Sequence, residues 1–475
     1  MATVGSCSGH EEEDVLLDGH AYIGNKPNHT TAVDFTRNSE RLVASFWRAP
    51  PPLPSTLYVY SPDISDPAAF SEAPRIIRMV RGFILFRVVI RSRHRFCIPM
   101  EDFDYFVYNV HGRALYRITN PAPLSFHDDV VGLLPRPFRT SARCSVAALV
   151  PTPNPSVFAL HVFHSDIGRW ASTQVVLKDP QQDFPIKIPR NARRLLSHYP
   201  STEITIGGEG GTMGWVDLWR GIPLCDILSP DPVLRGVPLP LPRVLFKPDG
   251  EISSDHFGCP KPFRRITFIN RPDGRPCLRF VDLDVSCTRL PDEDESGRPS
   301  FWFDSWSVIT WSDFKMSNSF DDWKNDCMPV HADIIILKEQ MRMQLLEYKL
   351  LRKKPSQDSK SVSTNAERKL ENLWVSQPTP SMLPPNIVYL IARAEFMHPK
   401  AYVLAVDMIK REVHGVTEFG TMRELAPDII CIPGSVSQHK VSLAISQVES
   451  RSRSRSPVEE GYGGGSTRRE SYMIP

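Results

Sequence analysis

The chain is 475 residues long, 41% hydrophobic and 23% charged, which excludes a disordered or fibrous polymer and leaves room for a large core. Its 56 Lys and Arg against 54 Asp and Glu give a formal charge of +2, too small for a chain-wide field that draws in nucleic acid or an anionic membrane, so any basic function must be local. The 44 prolines, about twice the usual share of roughly 5% and spread along the chain, exclude a helix-dominated fold, because proline lacks an N–H and fixes φ.

In chain order, residues 1–20, "MATVGSCSGHEEEDVLLDGH", are acidic where a signal peptide is basic and then apolar, and read as a disordered N-terminus. From about Thr31, short hydrophobic runs alternate with proline clusters. Leu42 to Trp47 and Thr56 to Tyr60 read as strands on either side of "RAPPPLPS", as do "RGFILFRVVI" and "DYFVYNV". In the last of these, Tyr105, Val107 and Asn109 fall on one face and Phe106, Tyr108 and Val110 on the other. "PSVFALHVFHSDIGRWASTQVVL" predicts two strands joined by a turn at Ser165 to Gly168, and Pro272-Asp273-Gly274 marks a second hairpin.

"GGEGGTMG", Gly207 to Gly214, satisfies neither phosphate-loop pattern and leads into a strand, so it reads as a loop between strands. "GWVDLWRGIPLCDIL" then predicts a strand in which Trp215, Asp217 and Trp219 share a face. A turn follows at Arg220-Gly221, and a return strand carries Asp226. A carboxylate between two indoles is costly to bury unless it accepts hydrogen bonds, so indole N–H groups or backbone amides are expected to satisfy Asp217, making the motif structural.

"FWFDSWSVITWSDF" continues the β pattern. The segment of about 333–374 interrupts it: Asp333 to Lys354 predicts a helix with Leu337, Met341, Leu345 and Tyr348 on one face, and "NAERKLENLW" predicts a second. Strands resume with "PNIVYLIARAEF" and "KAYVLAVDMIKREVHGVTEF". Residues 446–475, with the Arg-Ser repeat of Arg451 to Ser456, lack core-forming side chains and read as a disordered tail with kinase-accessible serines.

Little in the sequence spells chemistry. There is no zinc-protease or nucleophile-elbow motif, and the acidic pairs "HDD" at His127 to Asp129 and "FDDW" at Phe320 to Trp323 are of a kind common on loops. His161 and His164 fall on opposite strand faces, and the nine cysteines, an odd number without a C-x-x-C pair, read as reduced buried thiols. No catalytic residue, cofactor or metal is therefore assigned. The longest apolar run is too short to cross a bilayer, and the expected setting is cytoplasmic or nuclear.

"MGWVDLWRGIPLCDIL" with "LRGVPLPLP", "NIVYLIARAEFMHPKAYVLAVDMIKREVHGVTEF" and "TTAVDFTRNSERLVASFWRAPPPLPSTLYVYSP" closely resemble the plant family called domain of unknown function 1618, from about Ala21 to about Ile445. The resemblance implies a layout like F-box-associated β-propeller proteins and no assigned activity. Nothing here resembles an F-box, the residues before Ala21 being too few to hold one. The expected fold is all-β and mainly antiparallel, a β-propeller-like array of short strands over 21–445 with a helical insertion and a disordered C-terminal tail. The expected function is a non-catalytic scaffold for protein partners whose identity the sequence does not give; the alternative is an enzyme or small-ligand binder with a loop-built pocket.

Overall fold

The computed structural model describes residues 12–437 apart from 94–98, 100–101, 120–126, 137–142, 155, 179–197, 199, 241–258, 272–273, 294–298, 353–368, 396–397, 399 and 421–428. The 446–475 tail and residues 365–368 of the second predicted helix lie outside the described residues. The described fold belongs to one compact unit, 1–438.

Strands of 2 to 18 residues follow one another along the chain. The first group is β1 (Glu12–Asp18), β2 (Tyr22–Ile23), β3 (Ala32–Phe35), β4 (Arg41–Trp47) and β5 (Thr56–Tyr60). Three antiparallel four-stranded units come next: β6 (Arg75–Val80), β7 (Phe83–Val88), β8 (Asp104–Asn109), β9 (Ala114–Ile118); β10 (Val131–Arg136), β11 (Arg143–Pro151), β12 (Val157–His164), β13 (Arg169–Lys178); and β14 (Thr202–Gly207), β15 (Thr212–Val216), β16 (Gly221–Asp226), β17 (Leu234–Pro238). The fifth unit is β18 (Arg264–Asn270), β19 (Pro276–Glu293), β20 (Pro299–Asp313), β21 (Trp323–Asn325) and β22 (Val330–His331). The sixth is β23 (Trp374–Pro380), β24 (Ile387–Arg393), β25 (Ala401–Asp407) and β26 (Glu412–Phe419), and β27 (Cys431–Ser437) ends the series.

The first strand of each unit packs beside the first strand of the next, and the circle closes: β6 meets β10, β10 meets β14, β14 meets β18, β18 meets β23, β23 meets β27, and β27 meets β6. This is a six-bladed propeller. Its first blade is completed by both ends of the described chain. β27 pairs with β1 from Glu12↔Ser437 to Asp18↔Cys431, and β1 runs beside β5, where the Ser55 amide donates to the Leu16 carbonyl at 2.7 Å. Residues 12–18 are thus an integral strand and not part of a disordered N-terminus. Val15 and Leu17 enter the core between blades one and two, and Leu16 enters the core beside blade six.

Packing explains why the strands are apolar on both faces. Six hydrophobic clusters fill the six blade interfaces. On β8, Phe106 and Tyr108 belong to the cluster shared with blade one, whereas Tyr105 and Val107 belong to the one shared with blade three, the division that strand alternation predicts. Each such buried side chain contributes about 1.5–3 kcal/mol. Indoles add directional ties between blades. Trp215 Nε1 donates to the Val130 carbonyl at 2.8 Å, Trp323 Nε1 to Pro238 at 2.7 Å, Trp306 Nε1 to Leu370 at 3.0 Å and Trp170 Nε1 to Thr119 at 2.6 Å.

The first predicted helix is shorter than expected. Among its described residues only α1 (Glu339–Glu347) is α-helical, because Ile336 is held in backbone pairing with Arg411 and Val413, and Lys349 takes a left-handed φ of 57° that stops the helix. The predicted apolar face is right: Leu345 is buried, and Leu337, Met341 and Tyr348 pack on the core between blades five and six. The described part of the second predicted helix is a 3₁₀ turn at Leu370–Asn372 followed directly by β23; the Leu370 carbonyl serves Trp306 and Trp374 begins the inner strand.

Candidate functional site: the channel mouth

The predicted motif spans the end of β15, a turn and β16, beside the channel. Strand β15 ends at Val216, so Asp217 and Trp219 do not share a strand face with Trp215 as expected; Asp217 to Gly221 is a tight turn closed by reciprocal backbone bonds between its ends. Asp217 Oδ1 accepts from the Trp219 amide at 2.9 Å and Oδ2 from Arg220 Nη1, so a backbone amide and a guanidinium satisfy it, not an indole. Gly221 at φ 148° permits the reversal. His198 packs on this pair, its Nε2 donating to the Trp215 carbonyl at 3.0 Å, and burial pulls its pKa down to about 4, keeping it neutral. Asp226 is exposed, accepts from Thr212 Oγ1 at 2.5 Å and lines neither cavity described below. Related turn caps recur elsewhere: Asn109, Asp313 and Asp407 each accept backbone amides at the end of a strand.

The concave site forms where the inner strands begin. A cavity of about 200 Å³ is lined by Arg75 and Arg78 of β6, Asp128 and Asp129 ahead of β10, Thr202 of β14, Lys261, Arg264 and Arg265 at β18, and Gln377 of β23. Five cationic side chains meet two carboxylates there. Asp128 accepts from Arg87 at 3.0 Å with Arg75 at 3.6 Å, and Lys261 holds Asp129 at 2.6 Å. Burial works against the Asp129 carboxylate, but hydrogen bonds and charge from His127 and Lys261 outweigh it and hold its pKa well below the usual carboxylate range. Arg264 pairs with Asp282 at 3.0 Å and lies over the Trp219 ring at 4.2 Å, which brings the predicted tryptophan to the mouth as a platform for a cation.

Farther along the same strands lies a second cavity of about 100 Å³, lined by Arg78, Glu203, Thr205, Arg265 and Thr267 among others. Glu203 is buried, accepts from Arg78 Nε at 3.1 Å and from Thr205 Oγ1 at 2.8 Å, and burial pushes its pKa up to about 7. Gly132 of β10 makes the space: a Cβ there would collide with the Glu203 and Met213 side chains. None of these channel residues was singled out from the sequence except within "HDD". They lie up to hundreds of positions apart, and the one local sign was the requirement that basic function be local. No group of three metal-ligating side chains occurs among the described residues, and no described helix is long and apolar enough to cross a membrane.

Residues 215–389 match the family described as "Protein of unknown function (DUF1618)", the family that the sequence blocks resemble. No curated protein matches the chain. Similar solved structures include an α-L-arabinanase of Penicillium chrysogenum complexed with arabinobiose, at 10% identity over 78% of this chain and 94% of that one, with a TM-score of 0.30. Another is a tail fiber of Staphylococcus aureus phage P68, at 10% identity over 82% of this chain and 83% of that one, with a TM-score of 0.17. The six blades are counted from the ring of inner strands, not from these likenesses.

Proposed function

We propose that this protein is a non-catalytic interaction scaffold that holds an acidic segment of a partner protein at the mouth of its channel. The observation that carries the reading is the convergence of Arg75, Arg78, Lys261, Arg264 and Arg265 on one concavity in a chain of nearly zero net charge. Such focused charge raises the encounter rate with acidic partners and selects against basic ones. The acids at the mouth are committed to Arg and Lys, which leaves them poor candidates for general acid or base work. The second cavity, the neck of the channel farther along the same strands, favours a second component, a small-ligand site within the same channel.

Fluorescence anisotropy with a labelled oligoglutamate peptide tests the scaffold reading. The expected result is binding that falls steeply with salt and is lost in Lys261→Glu and Arg75→Glu, while a lysine-rich peptide does not bind. Salt-independent binding, or binding unchanged by both substitutions, contradicts it.

A further inference from the structure

Arg78 and Arg265 line both channel cavities and come from β6 and β18, opposite members of the six-strand ring. Their bonding is incomplete in different ways. Arg265 Nη1 donates to Thr379 Oγ1 at 2.9 Å and to the Cys431 carbonyl at 2.6 Å, both neutral acceptors, and no carboxylate among the described residues pairs with it. Arg78 gives Nε to Glu203 and Nη1 to the Ile77 carbonyl at 2.6 Å, while its buried Nη2 has no hydrogen-bond partner. Two guanidiniums therefore share one carboxylate, and burial already lowers the pKa of Arg265, with Arg78 adding repulsion.

A guanidinium held away from bulk water without a counter-charge costs several kcal/mol. A fastening role accounts for the Arg78–Glu203 bond, which ties blade two to blade four. It does not account for Arg265, whose hydrogen bonds a neutral side chain could make. A bound anion accounts for both, because guanidinium forks match the oxygens of carboxylates and phosphates.

We infer that the channel neck is a binding site for one small oxyanion, a carboxylate or phosphate group, held from opposite walls by Arg78 and Arg265. The site deepens the reading of the mouth above it, since an acidic partner would reach the neck through that mouth, but it takes a free anion equally well. Glu203 competes with the ligand for Arg78.

The test uses the full chain in low-salt buffer free of other multivalent anions, titrated separately with inorganic phosphate, followed by ³¹P NMR and calorimetry, and with acetate, followed by calorimetry. Saturable one-to-one binding of either is expected; whichever binds more tightly identifies the group. Arg265→Met and Arg78→Met should each weaken binding by about tenfold or more, and Glu203→Gln should tighten it several-fold. Should Arg78→Met fail to fold, Arg265→Met and Glu203→Gln decide. Absence of saturable binding by both anions, or equal binding by a folded Arg265→Met variant, overturns the inference. Anion binding without oligoglutamate binding leaves the neck standing and sinks the scaffold reading; the reverse sinks the neck alone.

Discussion

Two acid–arginine pairs with buried carboxylates do opposite things in this protein. Asp217 and Arg220 are three residues apart, lie in one turn, and balance one charge against one, with neither channel cavity touching them. Glu203 and Arg78 are 125 residues apart, join two blades, and share their cavity with a second guanidinium. A buried pair that closes on itself fastens structure; a buried pair with surplus charge facing a cavity has room for a ligand. Arg220 also has nitrogens without partners, Nε and Nη2, but its charge is already neutralised.

The contrast breaks most sharply at Asp217. Asp217→Ala strands the buried Arg220 charge and should cost about 3–5 kcal/mol in urea unfolding; a loss below about 1 kcal/mol would mean the turn is no fastener. The Glu203 effect is next and depends on pH. The fold holds a proton on Glu203 that the unfolded chain, titrating near its ordinary value, gives up, so native stability falls as pH rises toward about 7. Asp14, pushed up to about 6 by burial, acts in the same direction at lower pH. His198, pulled down to about 4, acts oppositely, and the fold loses stability as pH falls from the ordinary histidine range. Comparing wild type with Glu203→Gln isolates one group: the wild type should lose about 1–3 kcal/mol relative to the variant between about pH 5 and 8. Parallel stability curves would reject the assignment.

Smaller effects sharpen the boundary between wall and surface. Trp323→Phe removes the indole donor to Pro238 while keeping most of the ring, and about 1 kcal/mol is expected from thermal or urea unfolding. Asp226→Ala, at an exposed position in the same sequence motif as Asp217, should change stability by less than about 0.5 kcal/mol. A cost equal to that of Asp217→Ala would show that the motif acts as a unit.

The blades were legible because their signals are local. Thr56–Tyr60 coincides with β5, the Ser165 to Gly168 turn joins β12 to β13, and the alternation on β8 assigns its residues to the correct two cores. Local reading failed where distant partners decide. Glu12–Asp18 is polar enough to read as a loose end, yet β27, some 420 positions away, makes it a strand; the run "DVLLD" was the available sign. "ENLW" has helical propensity that the inner-strand position of Trp374 overrides. In the Asp217 motif the expected strand ran too far, to Trp219 and not Val216, since alternation alone cannot show where a strand stops. The channel site was not legible at all: Arg78, Glu203 and Arg265 acquire a common environment only when the ring closes.

The central claim is that Arg265 serves a ligand and not the fold, and the unfolding free energy of Arg265→Met without added anion tests it most directly. Removing a part-buried charge that lacks a counter-ion should offset the two lost hydrogen bonds, leaving stability within about 1 kcal/mol of the wild type or above it. A loss of about 3 kcal/mol or more would make Arg265 a fastener like Arg220 and contradict the account.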